Sequence, residues 1–157
     1  MKPSHWFRYY SSVFDTVEIN STFYRFPKPS NIKKWYRDSP ECFIFSVKAN
    51  KEITHIKRFS KVKDRINQFY SVISENLKEK TGVFLFQMPP NFRYSQSNLE
   101  RIIISLNSAF KNAVEFRHTS WWNEEVYTVF RKNNIAFCTV SAPKLRRSLS
   151  RLQIFVM

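Results

Sequence analysis

Five strand-like runs, each separated from the next by a segment of helical periodicity, constrain this chain more than any other feature. The runs fall at residues 14–20, 43–50, 83–88, 112–118 and 135–142, and the helical segments at 3–13, 31–38, 61–80, 97–110 and 123–134. Regular alternation of this kind argues for an α/β domain, because parallel strands need long crossovers and helices supply them. The clearest helix places Val62, Ile66, Phe69, Tyr70, Ile73 and Leu77 on one stripe. Residues 83–88 are almost continuously apolar, as in a strand covered on both faces. Ser30 and Asn123 stand where helix caps are expected, Ser97 to Glu100 has the spacing of a capping box, and Gly82 stands where a left-handed helix end would favour glycine.

The bulk numbers set the class. A chain of 157 residues with 43% hydrophobic and 17% aromatic content can build one domain with a core. Twenty-six Lys and Arg against 12 Asp and Glu give a formal charge of +14, which attracts polyanions or an anionic small molecule. The basic residues are scattered and form no nucleic-acid motif. A single glycine excludes a P-loop, a GxGxxG turn and any other glycine-rich phosphate cradle. Cys42 and Cys138 lie beside or within apolar runs and read as buried, reduced thiols. No run has signal-peptide or membrane-span character, which points to a soluble, cytoplasmic protein without membrane association.

Function is sought on the less apolar strand faces. With helices outside, the apolar face of each strand turns toward them. The other face carries Thr16, Glu18 and Asn20 on the first strand; Ser46 and Lys48 on the second; Val83, Leu85 and Gln87 on the third. The fourth contributes Ala113, Glu115 and Arg117, and the fifth Thr139 and Ser141. Their polar members gather toward the strands' C-terminal ends, where parallel α/β barrels place their sites. Glu18 and Glu115 are candidate acid–base groups, Lys48 and Arg117 candidate anion holders, and Asn20 and Gln87 sit between them. An internal salt-bridge layer would use the same residues. His55 and His118 end strands and are candidates for a general base or for a structural hydrogen bond. Tyr24, Trp121 and Trp122 could wall a pocket, with plain core packing the alternative for Trp122. A Glu/His/Glu metal site is chemically reasonable, but no local ligand spacing supports one.

Four segments together resemble the YecE-like family, known as domain of unknown function 72: FDTVEINSTFYR at 14–25, FSVKANKEITH at 45–55, LFQMPP at 85–90 and VEFRHTSW at 114–121. The resemblance implies a TIM-barrel-like α/β fold. It places the family's polar motif residues on Glu18, Asn20, Tyr24, Arg25, Lys48, His55, Gln87, Glu115, Arg117, His118 and Trp121. It fixes no reaction, substrate or cofactor. The family's glycine-containing first strand has no counterpart here, Ser141 stands where aspartate is common, and residues 145–157 do not follow the pattern. The expectation is a partial barrel domain at 1–144 with about five of eight strands, lacking the first and last, and a non-family tail at 145–157.

Three functional readings follow. The first is an enzyme-like barrel that binds a polar or anionic small molecule, with Glu18, Lys48, Glu115 and His55 as catalytic candidates. Asn20, Tyr24, Arg25, Gln87, Arg117, His118 and Trp121 would then contact the ligand. The second is a basic protein associated with nucleic acid. The third is an inactive fragment of a longer barrel.

Overall fold

The computed structural model describes residues 6–138. The expected tail at 145–157 and the face residues Thr139 and Ser141 lie outside that range. The elements run α1 (Trp6–Tyr10), β1 (Thr16–Ile19), α2 (Ser21–Tyr24), α3 (Pro29–Asp38), β2 (Ile44–Lys48), α4 (Lys63–Leu77), β3 (Thr81–Gln87), α5 (Gln96–Ser105), β4 (Asn112–Glu115), α6 (Glu124–Lys132) and β5 (Ile135–Cys138). A π-helical turn, Glu52–Ile56, follows β2, and 3₁₀ turns span Lys78–Lys80 and Thr119–Trp121. The five strands form one parallel sheet in the order β1-β2-β3-β4-β5. Among the described residues the sheet is open, with β1 and β5 as its edges.

Alternation sorts the two faces. Phe45, Val47, Phe84, Phe86, Val114 and Phe116 point to one side and are fully buried. The expected stripe of α4 packs there too, from Val62 through Leu77. Each such aromatic or aliphatic side chain contributes about 1.5–3 kcal/mol by leaving water. The opposite face keeps Glu18 exposed, Ser46 and Lys48 half-buried, and Gln87 and Glu115 buried. The Glu18 carboxylate on β1 helps raise the Cys138 thiol on β5.

Several local expectations are corrected. Gly82 is no helix cap: it lies inside β3, and the left-handed residue ending α4 is Lys78, at φ 52°. A Cβ on Gly82 would sit 2.6 Å from Ile44 Cγ2 and 3.0 Å from the Phe45 carbonyl oxygen, so close approach of β2 is what demands glycine. The pairing slips at that point, Phe45 facing Thr81 while Val47 faces Phe84. Helix α3 starts on Pro29 with Lys28 before it, not on a Ser30 cap. Helix α5 is capped by Ser95, whose hydroxyl accepts from Asn98 N–H, and it stops at Ser105 instead of reaching 110. Asn123 caps α6 as expected, accepting from Val126 N–H at 3.0 Å. In α1 the packed side is Phe7, against Phe43 and Phe45, while Trp6 and Tyr9 are exposed. Cys42 is exposed and Cys138 half-buried, both as free thiols. Cys42 falls in the turn before β2, outside the alternation that buries its neighbour Phe43.

Candidate functional site

The C-terminal ends of β2, β3 and β4 bring five of the expected side chains together. Gln87 follows β3's alternation onto the polar face and pairs in register with Glu115 of β4. Its Nε2 donates to Glu115 Oε1 at 2.8 Å. Arg117, two residues on, donates from Nε to the same oxygen at 3.1 Å, forming an ion pair with a mostly buried carboxylate. Both donors use Oε1. Burial, Glu115 and Glu18 together hold the neighbouring Cys138 thiol above its ordinary range.

Lys48 ends β2, and its ammonium lies 5.1 Å from the centre of the Phe23 ring. The edge of Phe23 meets the His55 ring at a centroid distance of 4.9 Å. His55 Nδ1 shares a hydrogen bond with Thr54 Oγ1 at 2.9 Å. Burial pushes the His55 pKa below its usual value, and the nearby charges of Lys48, Arg117 and Arg58 push it the same way. The imidazole is thus half-buried, with its charged form disfavoured by burial and by the neighbouring cations.

A rigid frame holds this arrangement. Asn50 Nδ2 donates to the Thr22 carbonyl at 2.9 Å and to the Phe23 carbonyl at 3.2 Å, and Asn50 Oδ1 accepts from Glu52 N–H. Thr22 Oγ1 donates to the Lys48 carbonyl at 2.6 Å. The two βα connections after β1 and β2 are therefore tied to one another. Behind them, the Arg65 guanidinium covers the Phe26 ring at 3.8 Å and pairs with Glu52 at 3.2 Å.

The remaining sequence candidates are placed differently. Glu18 is exposed on the same face, opposite Ser46. Asn20 is exposed at the start of α2 without a side-chain cap bond; Tyr24 is 68% exposed, and Arg25 is also exposed. His118 Nδ1 accepts from Ser120 N–H at 3.1 Å and meets Ser120 Oγ, so one ring nitrogen is spent on capping a 3₁₀ turn. Trp121 is a core residue: it is fully buried, stacks on Phe116 and Phe92, and donates from Nε1 to the Phe92 carbonyl at 2.8 Å. Its neighbour Trp122 is the half-buried one. Among the described residues, no three His, Cys, Asp or Glu side chains come together as a metal site, and no helix is long and apolar enough to cross a membrane.

Two residues of the site were not singled out in the sequence. Asn50 continues the polar phase of Ser46 and Lys48, and that spacing was a usable signal. Arg58 follows His55 in an irregular turn, where periodicity carries no information.

Residues 1–154 match the family described as "Protein of unknown function DUF72". The chain is 30% identical over 125 residues to the UPF0759 protein YunF of Bacillus subtilis, covering 75% of this chain and 44% of that one. It is 29% identical to the UPF0759 protein YecE of Escherichia coli, covering 78% and 46%. The chain thus spans about half the length of the curated relatives it matches. The crystal structure of a DUF72 family protein from Thermotoga maritima superposes with a TM-score of 0.80 at 32% identity, covering 93% of this chain and 58% of that one. A DUF72 family protein from Enterococcus faecalis shares the fold, with a TM-score of 0.67 at 19% identity over 85% of this chain and 58% of that one.

Proposed function

Because the chain belongs to the DUF72 family, whose solved members share its architecture, we propose that it binds a small anionic molecule on the polar face, where β2 to β4 end. One observation carries this reading: the Lys48 ammonium lies over the Phe23 ring, Phe23 packs on His55, and Arg58 donates to the His55 carbonyl, so cations from separate positions gather at one residue, with Arg117 near enough to help push the His55 pKa down. Cations gathered around one point repel each other, and an anion among them relieves that repulsion. Lys48 and Arg117 supply the attraction. Gln87 fixes Glu115, and Glu115 in turn holds Arg117. His55 and the carboxylates Glu18 and Glu115 are the groups able to move a proton beside the bound molecule. On this reading the exposed Asn20, Tyr24 and Arg25, and the half-buried His118, are further candidates for contact with the ligand.

Thermal unfolding of the full chain with acetate, citrate and phosphate, at constant ionic strength, tests the reading. A bound anion raises Tm, since at a hundred times Kd a ligand adds about 2.7 kcal/mol. Lys48→Met and Arg117→Gln are expected to reduce that rise. No rise with any anion, or an equal rise in both variants, overturns it.

A further inference from the structure

We propose that the anion is the dianionic head of a phosphate monoester, and that Arg58 is the third cation that selects it. The inference rests on the reading above and narrows it.

The first support is the backbone of the turn after the π-helical segment. Arg58, Phe59 and Lys61 have φ of 48°, 61° and 52°, three left-handed residues within four positions, none of them glycine. Each carries a cost of about 1–2 kcal/mol for a residue with a β-carbon. Such strain persists only where the surroundings enforce it, and it gathers at functional sites. Here Phe59 enforces it. Its side chain is buried against Phe86, and its N–H donates to the Ile53 carbonyl at 3.1 Å. Anchoring Phe59 fixes where Arg58 leaves the turn.

The second support is the chain of contacts that puts Arg58 beside the site. Its Nε donates to the His55 carbonyl at 3.5 Å, and its Nη2 donates to Asn91 Oδ1 at 3.3 Å, in the connection after β3. His55 packs against Phe23, and Phe23 lies under Lys48. Arg58 thus holds the backbone of His55, while Lys48 meets the His55 ring through Phe23.

The third support is the charge count. Among the described residues, carboxylates pair with Lys34, Arg37, Arg65 and Arg117. Arg117 is thus offset by Glu115, and neither Lys48 nor Arg58 is in an ion pair with a carboxylate. Two cations that meet His55, one through Phe23 and one at its carbonyl, are left without a carboxylate partner. A phosphate monoester carries about −1.5 to −2 at neutral pH, whereas a carboxylate or a diester carries one negative charge. The planar fork of an arginine also fits phosphate oxygens better than an ammonium does.

Calorimetric titration of the full chain decides the matter, with methyl phosphate, dimethyl phosphate and acetate as probes at one pH and ionic strength. Methyl phosphate is expected to bind about tenfold or more tightly than the other two. Arg58→Gln, an exposed position, is expected to weaken methyl phosphate about tenfold, the loss of one charge-assisted hydrogen bond, and to leave acetate within about twofold. The imidazole titration of His55, followed by NMR, is expected to move to higher pH when methyl phosphate binds. Equal binding of acetate and methyl phosphate, tightest binding of dimethyl phosphate, or an Arg58→Gln variant that binds methyl phosphate unchanged overturns this inference alone. Binding of no probe overturns it together with the broader anion reading.

Discussion

Replacing Gly82 by alanine adds one methyl group where β2 and β3 press together. Gly82 does not have a positive φ, so alanine is free of torsional strain there, and any loss of stability comes from contact. The new carbon would stand 2.6 Å from Ile44 Cγ2, well inside the 3.5–4.0 Å at which carbon atoms attract. It would also stand 3.0 Å from the Phe45 carbonyl oxygen and 3.3 Å from its carbon. The Ile44 side chain reaches solvent and can rotate; the Phe45 carbonyl cannot yield without shifting the ladder. Overpacking of this kind costs about 1–3 kcal/mol, and the stiffer unfolded chain returns about 0.4–1 kcal/mol. The expected net loss is about 1–2 kcal/mol, or a few degrees in Tm for a domain of this size. Urea denaturation measures it. Adding Ile44→Ala removes the side-chain clash but not the backbone one, so the double variant should be less destabilised than the sum of the two single ones. A Gly82→Ala protein as stable as the parent, or strictly additive losses, would refute the close-approach account.

Other outcomes follow from the same structure. Lys80 is buried with its ammonium on the carbonyls of Tyr36 and Ser39 and on Ser39 Oγ, so Lys80→Met should cost about 2–3 kcal/mol by stranding those acceptors, measured by chemical denaturation. Tyr70 donates to Asn112 Oδ1 at 2.6 Å in the core, and Tyr70→Phe should cost about 1–3 kcal/mol in the same assay. The folded-state pKa of His55 is depressed, so the unfolded chain binds its proton more readily. That contribution to stability is present above the ordinary histidine pKa of about 6.5 and lost as pH falls through the folded value. The stability–pH curve of His55→Gln should accordingly be flatter between pH ~7 and ~5 than that of the parent, and an unchanged slope would remove His55 as its source.

What could be read in advance followed periodicity. The α4 stripe and the burial of the strand faces turned toward the helices express spacings of 3.6 and two, and both are found as expected. The misread positions depend on contacts from elsewhere in the chain. Gly82 answers to Ile44 across the sheet, not to its own helix. Trp121 sits between Phe92 and Phe116, a pairing that no local spacing announces. In the site, strand residues were legible and turn residues were not. Lys48, Gln87 and Glu115 declare their face by alternation, whereas Arg58 owes its place to left-handed backbone that the sequence marks with no glycine.

The order of strands across the sheet is also their order along the chain. Each described strand after β1 therefore lies beside the one made just before it. On a ribosome, each new strand and its crossover helix can dock as they emerge, onto a surface already built. Thr16 pairs with Ile44 and Phe84 with Asn112, so each closure spans a single crossover and not the whole chain. At each stage the growing edge is hidden by the next strand to arrive, which shortens the time it is open to pairing with a neighbouring nascent chain.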